Sequence, residues 1–335
     1  CDEFSAMTFS EQVEITLDNE AYQEYINSVL NKTGFWRKFP EILSYAYAMG
    51  GCALKIYADN SKPMIDYVQA EHFLPIGWTG ETVTECVFLT TSYKNGNYYT
   101  LMEKHGTNKK GITVIENSAY KSSIKDSLGT KCAVSEMFPS LTDYITYDNI
   151  QIPMFCYFKP CVSNNIETDS PLGLSVFANA VDTLETLDIA FDSFSREFIL
   201  GKKRIIVPAQ CIRTVVDPLT NSMRRYFDAD DEAFIALKTE ENETLKITDN
   251  TTELRIEEHV SAINALLNIL CFQIGLSAGS FSFDSVQGMK TATEVISQDS
   301  KTARTIKSNK NIITEMLEQL VHSLIALGTA LDLIP

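Results

Sequence analysis

From Asn19 to Asn31 and from Phe35 to Met49, apolar residues recur every three or four positions. Over several short runs that follow they recur every second position, so helices give way to strands. Gly50-Gly51 closes the second helix, since glycine is the usual residue just past a helix C-terminus. Strands are expected over Cys52–Ala58, Met64–Gln69, Thr82–Ser92, Tyr98–Lys104 and Ile112–Tyr120, with Pro153–Pro160 as a last aromatic strand. Lys94-Asn95-Gly96-Asn97 between two of them reads as a hairpin turn. To about residue 160 the pattern is therefore α+β, a mostly antiparallel meander with helices beside it.

A Ser/Asn/Asp-rich stretch, Ser163 to Pro171, changes the texture. Leu174 to Leu200 then reads as one helix, closed by Gly201, with Phe177, Val181, Leu184, Leu187, Phe191, Phe194 and Phe198 on one face. At ~1.5 Å per residue it would be roughly 40 Å long. Asp182, Glu185, Asp188 and Asp192 fall at spacings of three and four and form an acidic stripe on its flank; taken alone, a solvated face accounts for such a stripe. Residues 202–256 read as a compact β-rich insert with strands at Arg204–Val207, Cys211–Asp217, Met223–Phe227, Phe234–Thr239 and Leu245–Thr248. A helix from Glu257 to about Gly275 follows, its apolar face formed by Ile263, Leu266, Leu267, Leu270 and Ile274. Gly279 to Gly288 (GSFSFDSVQG) reads as a loop. Lys290 to about Leu331 then forms one long helix, polar in its first half and apolar in its second.

Composition narrows the functional classes. The 335 residues carry a net charge of −16, and gripping phosphates needs a surplus of Lys and Arg, so a DNA-binding factor is disfavoured. The eight cysteines form no CxxC pair and several sit in apolar contexts, which favours free buried thiols over zinc or disulfides. The longest uncharged run, Val260 to Phe283, is long enough to cross a bilayer but carries Ser261, Asn264, Asn268 and Gln273. A helix between protein neighbours fits it better. The chain starts at Cys1 and ends at Pro335 straight after an apolar helical run, so material is expected to be missing at both ends.

Motifs for chemistry fare poorly. Gly275-Leu276-Ser277-Ala278-Gly279 matches G-x-S-x-G, but a nucleophile elbow needs a strand before it and a helix after it, and here a helix precedes. Gly201-Lys202 fails as a P-loop, with Arg196 and Lys203 where Gly and Ser or Thr belong. Asp228-Ala229-Asp230-Asp231-Glu232 fails as an EF-hand, with Ala233 in place of the loop glycine. No catalytic residue, cofactor or metal is expected.

The stretch GLSAGSFSFDSVQGMKTATEVISQDSKTARTIKSNK, Gly275 to Lys310, resembles the portal proteins of tailed bacteriophages from Gram-positive hosts. Gly51–Trp78 and the two helices flanking a β insert resemble them too. The resemblance implies a portal fold and a ring of about twelve or thirteen subunits around a channel at one capsid vertex. Double-stranded DNA would pass through it non-specifically during packaging and ejection. Implied partners are the terminase large subunit, head-completion or adaptor proteins, and the major capsid and scaffold proteins. The implied location is the virion, with host cytoplasm during assembly.

Mapped by resemblance, 1–171 is the wing, 172–201 and 257–278 are the stem helices, and 202–256 is the clip. Residues 279–291 are the tunnel loop, and 292–335 the long helix leading to a crown that is expected to be truncated. Ser280, Phe281, Phe283, Asp284, Gln287, Lys290, Lys301 and Arg304 would face DNA, and the acidic stripe would line the stem. Arg224, Arg225, Asp228, Asp230 and Asp231 would meet motor and adaptor. The competing readings are a capsid-associated adaptor without a channel, a serine hydrolase using Ser277, and a membrane pore built on Val260–Phe283.

Overall fold

A computed structural model describes residues 1–9, 13–147, 149–202, 253–283 and 292–334, and five short strands between 205 and 249; in those strands and at 292–300 it describes the backbone alone. In chain order the elements are α1 (Asp2–Thr8), α2 (Glu20–Thr33), α3 (Phe35–Met49), β1 (Cys52–Asp59), β2 (Lys62–Gln69), β3 (Phe73–Thr79), β4 (Thr82–Lys94), β5 (Asn97–Thr107), β6 (Thr113–Ser122), β7 (Thr130–Cys132), α4 (Val134–Met137), β8 (Tyr144–Tyr147) and β9 (Phe155–Phe158). Then come α5 (Val181–Leu200), β10 (Ile205–Pro208), β11 (Thr214–Val216), β12 (Met223–Arg225), β13 (Phe234–Leu237), β14 (Thr248–Asp249), α6 (Ile256–Gln273) and α7 (Ala292–Ala330). The α+β class expected from the pattern is the class observed.

The chain divides into two compact units: Cys1–Asn179 with Ile274–Leu276 and Thr293–Pro335, and Ala180–Gln273 with Ser277–Ala292. In the first, β2-β1-β9 form one antiparallel sheet and β3-β4-β5-β6-β7 another, with β8 also on β6. Local chemistry sets the boundaries. The Asn19 side chain accepts from the N–H groups of Ala21 and Tyr22 and so starts α2. Asn95 and Gly96 take positive φ of 52° and 77°, and Lys94 pairs with Asn97, which is the two-residue hairpin the Asn-Gly signal predicts. Gly50 ends α3 at φ 90°, and a Cβ there would lie 2.6 Å from the Gly173 carbonyl oxygen, so two backbones cross where only glycine fits.

Ala53, Phe73, Val83, Cys86, Phe88 and Phe155 form an aromatic core shared by the two sheets. Across that core the Lys55 ammonium of β1 meets Glu103 of β5 at 2.7 Å and Asp66 of β2 at 3.5 Å. Burial pulls the Lys55 pKa down, but the neighbouring carboxylates outweigh it and hold the pKa above its ordinary value. The apolar half of α7 buries Ile313, Met316, Leu317, Leu320, Val321, Leu324 and Leu327. Its polar side chains bind the β9 region: Gln319 donates to the Phe155 carbonyl, Ser323 to the Pro153 carbonyl, and Asn309 accepts from Cys161 N–H. A helix thus binds the backbone at the edge strand β9.

Two sequence expectations need correction. The helix expected from Leu174 starts at Val181, after a single turn of 3-10 helix at Ala178–Ala180. Val176 N–H and the Ser175 hydroxyl instead donate to the Tyr47 carbonyl, near the end of α3, so residues 174–177 are committed to the first unit. At ~1.5 Å per residue the helix is then about 30 Å long, not 40 Å. Strand β3, which is not among the strands expected from the sequence, pairs with β4 through a register shift at Pro75 and Gly77.

In the second unit, β10 pairs with β13 in parallel and with β14 antiparallel, while β11 and β12 form an antiparallel pair. Seven of the eight cysteines fall among the described residues, where no disulfide links them; Cys52, Cys86, Cys156 and Cys271 are buried, and Cys211 lies outside the described residues.

Candidate functional site

The second unit is built on α5 and α6, which pack against each other. At one end of the pair Glu197 receives Arg255 three times: from its backbone N–H at 3.1 Å, from Nε at 3.1 Å and from a terminal guanidinium nitrogen at 2.7 Å. These bonds, from the guanidinium first, hold the Glu197 carboxyl down at about 2. His259 Nε2 lies 3.7 Å from the same carboxylate. The pin fixes the two helices where the chain leaves and re-enters the β insert.

Little of the pair's apolar surface is covered. Leu187, Ile263, Leu270 and Cys271 are buried, and of the predicted apolar face of α5 only Leu187 is; Leu184 and Phe194 are half-buried, while Val181, Phe191 and Phe198 are exposed. Elsewhere Ile189 and Ile199 are each 61% exposed, Ile269 49% and Phe272 70%. The acidic stripe is where periodicity put it: Asp182, Glu185, Asp188 and Asp192 are all exposed, on the side of α5 away from Leu187. Arg196 approaches Asp192 at 4.0 Å, one turn along.

After α6 the chain turns at Gly275 (φ 83°) and Gly279 (φ 81°). Two asparagines of α6 then hold it. Asn268 accepts from Gly279 N–H at 2.8 Å, and Asn264, one turn earlier, accepts from Phe283 N–H at 2.8 Å. The Phe283 ring sits edge-on to Phe191 at 5.5 Å and to Phe194 at 5.8 Å between centroids. Ser280 donates through its hydroxyl to the Ser277 carbonyl at 2.7 Å, and Phe281 is half-buried. Ser277 is itself buried and follows a helix, the opposite of the strand-turn-helix setting that a nucleophilic serine requires.

Of the site residues read from the sequence, the structure joins Phe283 to the aromatic residues of α5. Lys301 and Arg304 lie on α7, which belongs to the first unit from Thr293 on. Arg224 and Arg225 lie on β12, opposite Val215 and Thr214. Asp284, Gln287, Lys290, Asp228, Asp230 and Asp231 lie outside the described residues. Sequence reasoning missed the Glu197–Arg255 pin and the holding role of Asn264 and Asn268. The signal for the asparagines was present, as two amides one turn apart in the apolar stretch Ile263–Phe272. Among the described residues no cluster of three metal-ligating side chains occurs, and no helix is long and apolar enough to cross a membrane.

The family model described as "Phage portal protein, SPP1 Gp6-like" matches the chain over residues 1–335. No curated protein matches it.

Proposed function

The chain belongs to the phage portal protein family, and from that premise we propose that it is the subunit of a ring-shaped channel at one capsid vertex. Double-stranded DNA would pass through it during packaging and ejection, with the protein acting as a structural element and not as an enzyme. The observation that carries this reading is the uncovered apolar surface of α5 and α6. Two helices cannot bury two faces between themselves, and large residues such as Ile189, Ile199, Ile269 and Phe272 are left in solvent. Copies of the same chain supply the missing layer, and a head-to-tail contact that closes on itself gives a ring.

On this reading residues 1–171 are the wing, 172–201 and 257–278 the stem and 202–256 the clip that meets the terminase large subunit and the head-completion proteins. Residues 279–291 are the tunnel loop, and 292–335 the helix directed to the crown. The charge of −16 and the exposed stripe Asp182, Glu185, Asp188 and Asp192 fit a wall that repels the DNA backbone and lets it slide. Lys301 and Arg304 would touch phosphates in passing.

The test is native mass spectrometry with negative-stain electron microscopy of the purified protein over a range of salt. Rings of about twelve or thirteen copies with a central hole are expected. A monomer at every concentration and salt would overturn the channel reading. A ring without a hole would favour the adaptor.

A further inference from the structure

We propose that Asn264 and Asn268 are positioning residues that hold residues 279–283 as a strap along α6. Phe283 acts as its wedge on α5, so that the chain leaves the helix pair from one fixed point. This rests on the channel reading for its role: the strap holds the first residues of the loop read as DNA-facing.

The geometry is specific. The two acceptors are four residues apart on α6, and the two donors, Gly279 N–H and Phe283 N–H, are four residues apart on the strap. A segment bound at two points of equal sequence spacing runs beside the helix axis and cannot slide past one without losing the other. An asparagine oxygen is an acceptor that solvent readily satisfies, so an amide on a polar helix position gains little unless the chain returns to it. Here it returns twice. The wedge adds a second kind of contact, since Phe283 meets Phe191 and Phe194, three residues apart on α5 and therefore on one face. Phe194 in turn packs against Phe198 at 5.1 Å and the His259 ring at 5.9 Å, so the wedge lies beside the residues of the Glu197–Arg255 pin. Gly279, at φ 81°, supplies the turn that lets the strap fold back. The arrangement has a bound state held by two hydrogen bonds and one aromatic contact. Such a small set of contacts is of a size that releases locally without unfolding either helix.

The experiment is amide hydrogen exchange on the whole 335-residue chain in the state in which it assembles, comparing wild type with Asn264→Ala, Asn268→Ala, the double alanine variant, the double aspartate variant and Phe283→Ala. Each lost bond is expected to speed exchange at its own donor about fivefold, and the double alanine variant to speed both by about thirtyfold. Aspartate, which keeps an acceptor oxygen at the same place, restores protection; a merely structural effect of shortening the side chain would not be selectively rescued in this way. Phe283→Ala is expected to speed exchange at 279 and 283 together while both asparagines remain. Protection unchanged in the double alanine variant, or aspartate behaving as alanine, would overturn the strap. Particles assembled with the same variants separate this from the channel reading. If DNA retention follows the exchange rates, the strap serves DNA passage. Faster exchange with unaltered retention would remove the strap from DNA passage and leave it only as a local fold element.

Discussion

The first, α+β unit and the helix pair are built from the same apolar residue types and place them in opposite ways. Phe73, Phe88, Phe155 and Phe158 are fully buried between sheets and helices, whereas Phe191, Phe198 and Phe272 on α5 and α6 face solvent. Layer count explains the difference. Each sheet of the first unit finds an element to cover it, and α7 covers the edge at β9 with both apolar and hydrogen-bonding residues. A pair of helices offers only one mutual face, so further apolar residues on it need another layer to cover them. The first unit thus carries its own aromatic core, while the proposed ring would cover the apolar faces of the second.

The largest effect should come from the heart of the first unit. Lys55→Met leaves the Glu103 carboxylate almost buried without its cation, and is expected to cost about 3–5 kcal/mol in denaturant unfolding. Adding Glu103→Leu should recover most of that loss, because replacing a buried ion pair with apolar groups is close to neutral. If the single change is silent, the two sheets are not coupled through this pair.

His105 sharpens the comparison through pH. Its ring is 1% exposed, neither nitrogen has a hydrogen-bond partner among the described residues, and it packs edge-on against Phe88 and Phe155 with the Lys55 cation nearby. Burial first, and then Lys55, lowers its pKa from 6.5 to about 3. Because the folded value lies below the unfolded one, the stability contribution is complete above pH 6.5. It is lost as pH falls towards 3. His105→Phe should abolish that decline between pH 6.5 and pH 4, and raise stability at pH 5 by about 1–3 kcal/mol, as followed by urea unfolding. An unchanged pH slope in the variant would assign the decline to other groups.

The smallest effect is expected at the exposed pin. With its folded pKa depressed from 4.5 to about 2, Glu197 holds Arg255 fully above pH 4.5 and releases it as pH falls to 2. Glu197→Gln should lower the protection factor of the Arg255 amide at neutral pH to the value that wild type reaches only near pH 2. No effect on the first unit is expected, and an effect there would mean that the two units unfold together.

How much of this was legible beforehand follows from what kind of physics set each feature. Helices α2 and α3, the Asn95-Gly96 turn and the stop at Gly50 depend on residues adjacent in sequence, and periodicity with turn chemistry located them. Strand β3 was hidden because Pro75 and Gly77 break the alternation, and its pairing with β4 absorbs the break in a register shift. The start of α5 was misread because Ser175 and Val176 have helical spacing but give their donors to Tyr47, over a hundred positions away. At the site, the acidic stripe depends only on spacing and was read directly. Asn264 and Asn268 registered as polar interruptions, because an acceptor's partner is chosen by where the chain returns and not by its neighbours. Periodicity located the apolar faces of α5 and α6, but period alone does not count the layers available to cover them.

The central claim, that the helix pair is completed by other copies, is tested most directly by the native mass of Ile189→Asp/Ile269→Asp alongside its unfolding midpoint. Both positions are exposed in the single chain, so the change should alter its intrinsic stability by no more than about 0.5 kcal/mol. The account predicts that the rings disappear while the α+β unit unfolds at its wild-type midpoint. Rings of unchanged mass and stability would contradict it.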